Sequence, residues 1–113
     1  MTDRIVVLSA CATEREAETI ARYLVEKRLA ACVNLIPHVR SIYRWEGRVE
    51  DAKETMLVIK STRGLFAELA RELSAMHSYQ VPEVIALPVV DGAEPYLDWI
   101  GRETRPERVD ESR

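Results

Sequence analysis

Two side chains in this sequence carry metal-ligand chemistry and have few rivals. Cys11 stands in the run IVVLSACA, and His77, one of only two histidines, stands in MHSYQVPE. A thiolate and an imidazole together suit copper or zinc. Each residue also has an ordinary reading. A histidine in the last turn of a helix is favoured by the helix dipole, and a small cysteine in a strand is a common core residue. Two ligands are too few for a closed zinc site. A Cys–His nucleophile wants a third, orienting group and an oxyanion site. Neither is legible, so no enzyme is expected. Cys32, in AACVN, is expected as an inert buried thiol, and His38, after Pro37, as an exposed loop residue. The four glycines make no phosphate-cradling loop, so no organic cofactor is expected.

The composition sets the frame for these residues. The chain has 113 residues, 47% hydrophobic and 31% charged, which suits one globular domain over residues 1–113 with a real core. A domain of this length buries roughly two-thirds of its unfolded surface and needs no staples. The net charge of −3 argues against a nucleic-acid partner. The first sixteen residues lack the basic start and long apolar run of a signal peptide, and no run is long enough to span a membrane. No membrane partner is expected and the cytoplasm is the expected compartment, where Cys11 and Cys32 would be free thiols.

The elements that position Cys11 and His77 can be read from periodicity. Residues 5–12 form a short, β-branched apolar run and read as a strand. Thr13 and Glu16 have capping-box spacing. Ala17, Ile20, Ala21, Leu24 and Val25 mark one helical face, which predicts a helix over about 14–28. A second strand over 30–36 meets Pro37, which removes a donor and points to an edge strand or a bulge. Residues 39–45 resume β character, Gly47 offers a turn, and 54–61 return as a strand. Thr62 is placed to cap a second helix whose apolar face is Leu65, Phe66, Leu69, Ala70, Leu73 and Met76. Pro82 stops that helix, 83–90 read as a fourth strand, and Pro95 opens a short C-terminal helix. A charged tail is expected from about residue 102. The order predicts an α+β, ferredoxin-like βαββαβ sandwich with a long β-hairpin and a short C-terminal helix. RNA-recognition modules share this order but stack bases on aromatics of their central strands. Here IVVLSA and TMLVIK have none.

The hairpin raises a problem of length. About fifteen residues of strand span about 50 Å, whereas a domain near this size has a radius of gyration of about 13 Å. The distal hairpin must pack on another subunit or bend at Pro37. It carries Tyr43 and Trp45, and the C-terminal helix carries Tyr96 and Trp99. Large aromatics on a protruding hairpin are typical interface anchors, so Tyr43, Trp45 and Trp99 are expected at an oligomer interface.

Four segments, LAACVNLIP, SIYRWEGRVE, LVIKS and HSYQVPEVIALPVVDGAEPYLDWI, resemble in that order the CutA family of divalent-cation tolerance proteins. The resemblance runs from about Ile5 to Ile100. It implies a ferredoxin-like fold, a tight homotrimer, similarity to PII signalling proteins, a link to copper tolerance and copper binding, and no established enzymatic activity. Carried over residue by residue, it makes Trp45, Lys60, Tyr79 and Glu83 candidates for an inter-subunit ligand cleft. It makes His77 the histidine suspected in metal binding. Met76 and Ser9 stand where some members have a second histidine and a cysteine, and Ser78 stands where proline is usual. Cys11 lies on the same strand face as Ser9, displaced by roughly 7 Å. The resemblance thus implies a metal-tolerance trimer; ligand chemistry adds His77 and Cys11 as exposed single ligands for copper or another divalent ion, bound weakly because two ligands do not complete a shell. The alternative is a PII-like sensor of a small molecule in the inter-subunit cleft.

Overall fold

The computed structural model describes residues 2–106. In chain order it contains β1 (Arg4–Cys11), α1 (Glu14–Glu26), β2 (Cys32–Trp45), β3 (Arg48–Thr62), a 3-10 turn (Arg63–Leu65), α2 (Phe66–Met76), β4 (Ile85–Pro88) and α3 (Glu94–Glu103). The four strands form one antiparallel sheet in the order β2-β3-β1-β4. This is the expected ferredoxin-like arrangement.

The core lies between one face of the sheet and the two long helices. Period-two alternation turns Ile5, Val7, Ser9 and Cys11 of β1, and Leu57, Ile59 and Ser61 of β3, toward the helices, and all are buried. Against them α1 sets Ala17, Ile20, Ala21 and Leu24, while α2 sets Leu69 and Leu73. Each fully buried Leu or Ile contributes about 1.5–3 kcal/mol relative to exposure. The opposite face of the sheet is also apolar but uncovered in the single chain: Ile36, Ile85 and Leu87 remain about half exposed there.

Two local expectations are corrected. The fourth strand is only Ile85–Pro88, not 83–90. Residues 83 and 84 still belong to the segment that carries the chain around the sheet end. Thr62 makes no side-chain cap; the 3-10 turn leads into α2 instead. The charged tail expected from about residue 102 follows the end of α3 at Glu103. Thr104 is buried, and the Arg105 guanidinium pairs with the Glu68 carboxylate. The remainder of that tail, from residue 107, lies outside the described residues.

The hairpin projects as its length requires, and the described chain measures 46 × 36 × 25 Å. Trp45 and Arg48 close it across Glu46 and Gly47, both at positive φ (48° and 79°). That is the primed turn favoured by the twist of a two-residue hairpin loop. Between Ile36↔Met56 and Val39↔Glu54, β2 advances three residues while β3 advances two. This is a β-bulge, with His38 in the left-handed region at φ 62°. The extra residue inverts the facing of everything beyond it. Leu35 pairs with Leu57 on the helix side, but Tyr43 pairs with Glu50 and so shares Glu54's side.

Candidate ligand cleft and the polar cluster beside it

The segment after α2 crosses the carboxyl end of β1 and serves both faces of the sheet. His77 ends the helix on the core side. Tyr79, two residues on, reaches the other side.

On the core side His77 meets Cys11 and Glu16. The side chain of His77 is fully buried. Its Nε2 lies 2.8 Å from the carbonyl oxygen of Ala10 and 3.8 Å from Cys11 Sγ. Its Nδ1 accepts the backbone N–H of Tyr79 at 3.1 Å. Those partners assign the Nε2–H tautomer, with the proton donated to Ala10. The Glu16 carboxylate lies 3.5 Å from Nδ1 and accepts both the Ser78 N–H at 3.2 Å and its hydroxyl at 3.1 Å. Only half of the predicted capping box therefore forms. Thr13 Oγ1 accepts the Glu16 N–H at 3.1 Å, while the Glu16 side chain turns to the α2 terminus. The thiol of Cys11 is pushed up to about 12, first by burial and then by the charges of Glu16 and Glu54.

The expectation of His77 and Cys11 as exposed single ligands is corrected: both are buried, and they lie together. With Glu16 they offer three donor atoms within 4.8 Å of one another. Sequence reasoning missed Glu16, because its spacing from His77 carries no periodic signal. As folded, the set does not fit a resident metal. Both imidazole nitrogens are engaged, and the Cys11 thiol is fully buried behind them. Cys32 is corrected as well: it is partly exposed, with its Sγ near Asn34.

On the other side a cavity of about 720 Å³ opens between the distal hairpin and the segment after α2. Tyr43 and Trp45 come from β2, Glu54 from β3, and Tyr79 and Glu83 from the segment; Ile42 and Val81 add apolar surface. Tyr79 donates its hydroxyl to Glu54 at 2.6 Å. Burial, and then that hydrogen bond, hold its phenol well above the usual range, so it stays a donor. Glu54 is itself buried. Of the four cleft candidates, Trp45, Tyr79 and Glu83 converge on this cavity. Lys60 does not: it lies six residues along β3 from Glu54, and its ammonium meets Asn34 in the same chain. Glu54 was missed, since only the bulge register and the Tyr79 contact mark it. Tyr43 and Trp45, expected at an interface, are each about two-fifths exposed along the cleft wall. Trp99 does not line it and stacks on Tyr96 with centroids 5.6 Å apart.

Comparison with known proteins places this architecture. Residues 5–103 match the family model described as CutA1 divalent ion tolerance protein. The chain is 48% identical over 99 residues to the divalent-cation tolerance protein CutA of Thermus thermophilus, covering 88% of this chain and 96% of that one. It spans about half the length of the mouse Protein CutA, to which it is 49% identical over 94 residues, 83% of this chain. A solved Thermus thermophilus divalent cation tolerance protein superposes with a TM-score of 0.88 at 46% identity, covering 90% of this chain and 99% of that one. An Archaeoglobus fulgidus structure, described as a periplasmic divalent cation tolerance protein CutA, gives 0.86 at 40% identity, covering 88% and 97%. With the family model spanning nearly all of the sheet and helices described above, the chain belongs to the CutA1 divalent ion tolerance protein family.

Proposed function

We propose that this protein serves divalent-cation tolerance as a non-enzymatic, ligand-responsive homotrimer, with the cleft of Tyr43, Trp45, Glu54, Tyr79 and Glu83 as its binding site. The observation that carries the reading is the cavity itself. Its size of about 720 Å³ lies in the range of small-molecule sites. Its walls are aromatic and its few polar groups converge. This is the PII-like alternative of the sequence reading, in which a small molecule is sensed between subunits.

Assembly is part of the proposal. Strands β2 and β4 leave both sheet edges unpaired, and the face bearing Ile36, Ile85 and Leu87 is apolar. Closing such edges by strand pairing removes an aggregation hazard. The cytoplasm is the proposed compartment. Among the described residues no helix is long and apolar enough to cross a membrane, while one relative is described as periplasmic.

Copper or another divalent ion bound weakly by the chain is the second reading, favoured by the three donors of Cys11, Glu16 and His77. It requires the imidazole to release Ala10 or Tyr79 first, which makes it the weaker of the two. The test is a thermal-shift screen of metabolites and metal ions on the untagged protein, with Trp45→Ala and His77→Ala beside it. A small molecule that raises the melting temperature of wild type and His77→Ala, but not of Trp45→Ala, supports the cleft. Stabilisation by metal alone, lost in His77→Ala and kept in Trp45→Ala, would replace the first reading by the second.

A further inference from the structure

The cleft has a chemical sign. Its lining holds two carboxylates, Glu54 and Glu83, and three aromatic rings, Tyr43, Trp45 and Tyr79, with no lysine, arginine or histidine among the described residues. The lysine that sequence comparison would have put there is held by Asn34 elsewhere on the sheet. Glu54 is only 8% exposed, and its one hydrogen-bond donor is the neutral phenol of Tyr79. Among the described residues no cation lies in ion-pair range of Glu54 or Glu83. A buried carboxylate satisfied by one neutral donor keeps most of its field, and an apolar-walled cavity transmits that field to whatever enters.

We propose that the cleft selects a small organic cation, an alkylammonium group seated against the faces of Trp45 and Tyr43 with Glu54 and Glu83 as its counter-charges. This deepens the proposed function and rests on the cleft being its site. Three features of the cleft favour this class. Aromatic faces attract cations through the ring quadrupole, and a cage of aromatics with carboxylates recognises quaternary ammonium groups. An anionic ligand, a nucleotide for example, would face two carboxylates with no compensating cation among the described residues that line the cleft. A hydrated divalent ion needs about six oxygen ligands, and Glu54 and Glu83 belong to no group of three metal donors among the described residues. The apolar Ile42 and Val81 suit the methyls of an alkylammonium and not the water shell of a metal ion.

Three probes of one shape separate the outcomes: choline, its neutral carbon isostere 3,3-dimethylbutan-1-ol, and the anion 3,3-dimethylbutanoate. Trp45 reports binding by its fluorescence in a Trp99→Phe background, which leaves it the only tryptophan. Light scattering on each variant confirms an unchanged assembly. Choline is expected to quench Trp45 and to bind about tenfold more tightly than the neutral alcohol, the scale of one good cation–π and charge contact. Glu83→Gln, on an exposed residue, and Glu54→Gln, which keeps an acceptor for Tyr79, are each expected to cut that preference severalfold. Equal affinity for choline and the alcohol, or tighter binding of the anion, would overturn the cationic class and leave the cleft standing. Silence toward all three probes, with the assembly intact, would remove the cleft reading as well. Competition of choline by magnesium or calcium at equal concentration would overturn the organic assignment in favour of a metal ion.

Discussion

The polar cluster and the cleft are built from similar chemistry and end up opposite in character. Both contain a carboxylate, and both are bounded by the segment that follows α2. In the cluster, His77 spends one nitrogen on Ala10 and the other on Tyr79, and Glu16 accepts two bonds from Ser78. Both imidazole nitrogens and one carboxylate oxygen there are already engaged. In the cleft, Glu54 has a single neutral donor, and Trp45 and Tyr43 present their rings to an open volume. The comparison teaches that donor identity does not make a site; unsatisfied capacity facing a cavity does. It also gives the cluster a task. By accepting the Tyr79 N–H, His77 fixes the residue whose hydroxyl orders Glu54, so the closed region positions a wall of the open one.

The sharpest break of this comparison is His77→Ala. It leaves the Ala10 carbonyl and the Tyr79 N–H without partners in a buried space, which is expected to cost about 3 kcal/mol of stability. Chemical denaturation at constant protein concentration measures it. A loss below about 1 kcal/mol would mean that the cluster is not closed.

Next is assembly. Light scattering at micromolar concentration is expected to give three times the chain mass of 12.9 kDa. Trp45→Ala is expected to loosen the trimer by about 2 kcal/mol if the ring anchors the interface. Unchanged dissociation would assign Trp45 to the cleft alone.

Tyr79→Phe should come third, at about 1–2 kcal/mol. It removes the hydroxyl bond to Glu54 and keeps the backbone N–H to His77. The cleft should therefore loosen while the cluster holds, read as faster proteolysis of the 79–83 segment with slow modification of Cys11 retained.

The thiol gives a pH test. In the fold Cys11 is raised from 9.0 to about 12, so between those values the native state holds a proton that the unfolded chain has lost. Its contribution is complete below pH 9.0 and fades as the pH climbs through about 12. Wild type is expected to lose stability across that alkaline window, and Cys11→Ser to show a flatter limb with little change at neutral pH. Parallel limbs would show that Cys11 is not buried as described.

The smallest expected effect is on copper. Calorimetric titration of the untagged protein should find the same weak affinity in wild type and Cys11→Ser, because the thiol is fully buried beside an imidazole whose two nitrogens are both engaged. A clear loss in the variant would reopen the cluster as a metal site.

Much of this was legible in the sequence. The apolar periods of Ala17–Leu24 and Leu65–Leu73, the β-branched runs, and Pro37, Gly47 and Pro82 placed the elements in order. The chemistry of Cys11 and His77 singled out two residues that the fold brings to 3.8 Å. Their exposure was not legible. Whether a histidine at a helix end faces water depends on what else the chain lays over it, and here that is Glu16 and the end of β1.

By itself, then, the sequence determined which segments become strands and helices, because dihedral preference and apolar period are properties of neighbours along the chain. Tertiary structure alone decided which side chains meet. Glu16 and Ser78 are 62 positions apart, and Glu54 and Tyr79 are 25; no local pattern links them. Above all it decided the side of the sheet on which Tyr43 and Trp45 stand. Strand facing is a count by twos, and one extra residue between Ile36 and Val39 reverses the count for the rest of the strand. Pro37 marked the place as an edge strand or a bulge, but only the pairing with β3 shows that the extra residue is there, and with it the side taken by the aromatic wall of the cleft.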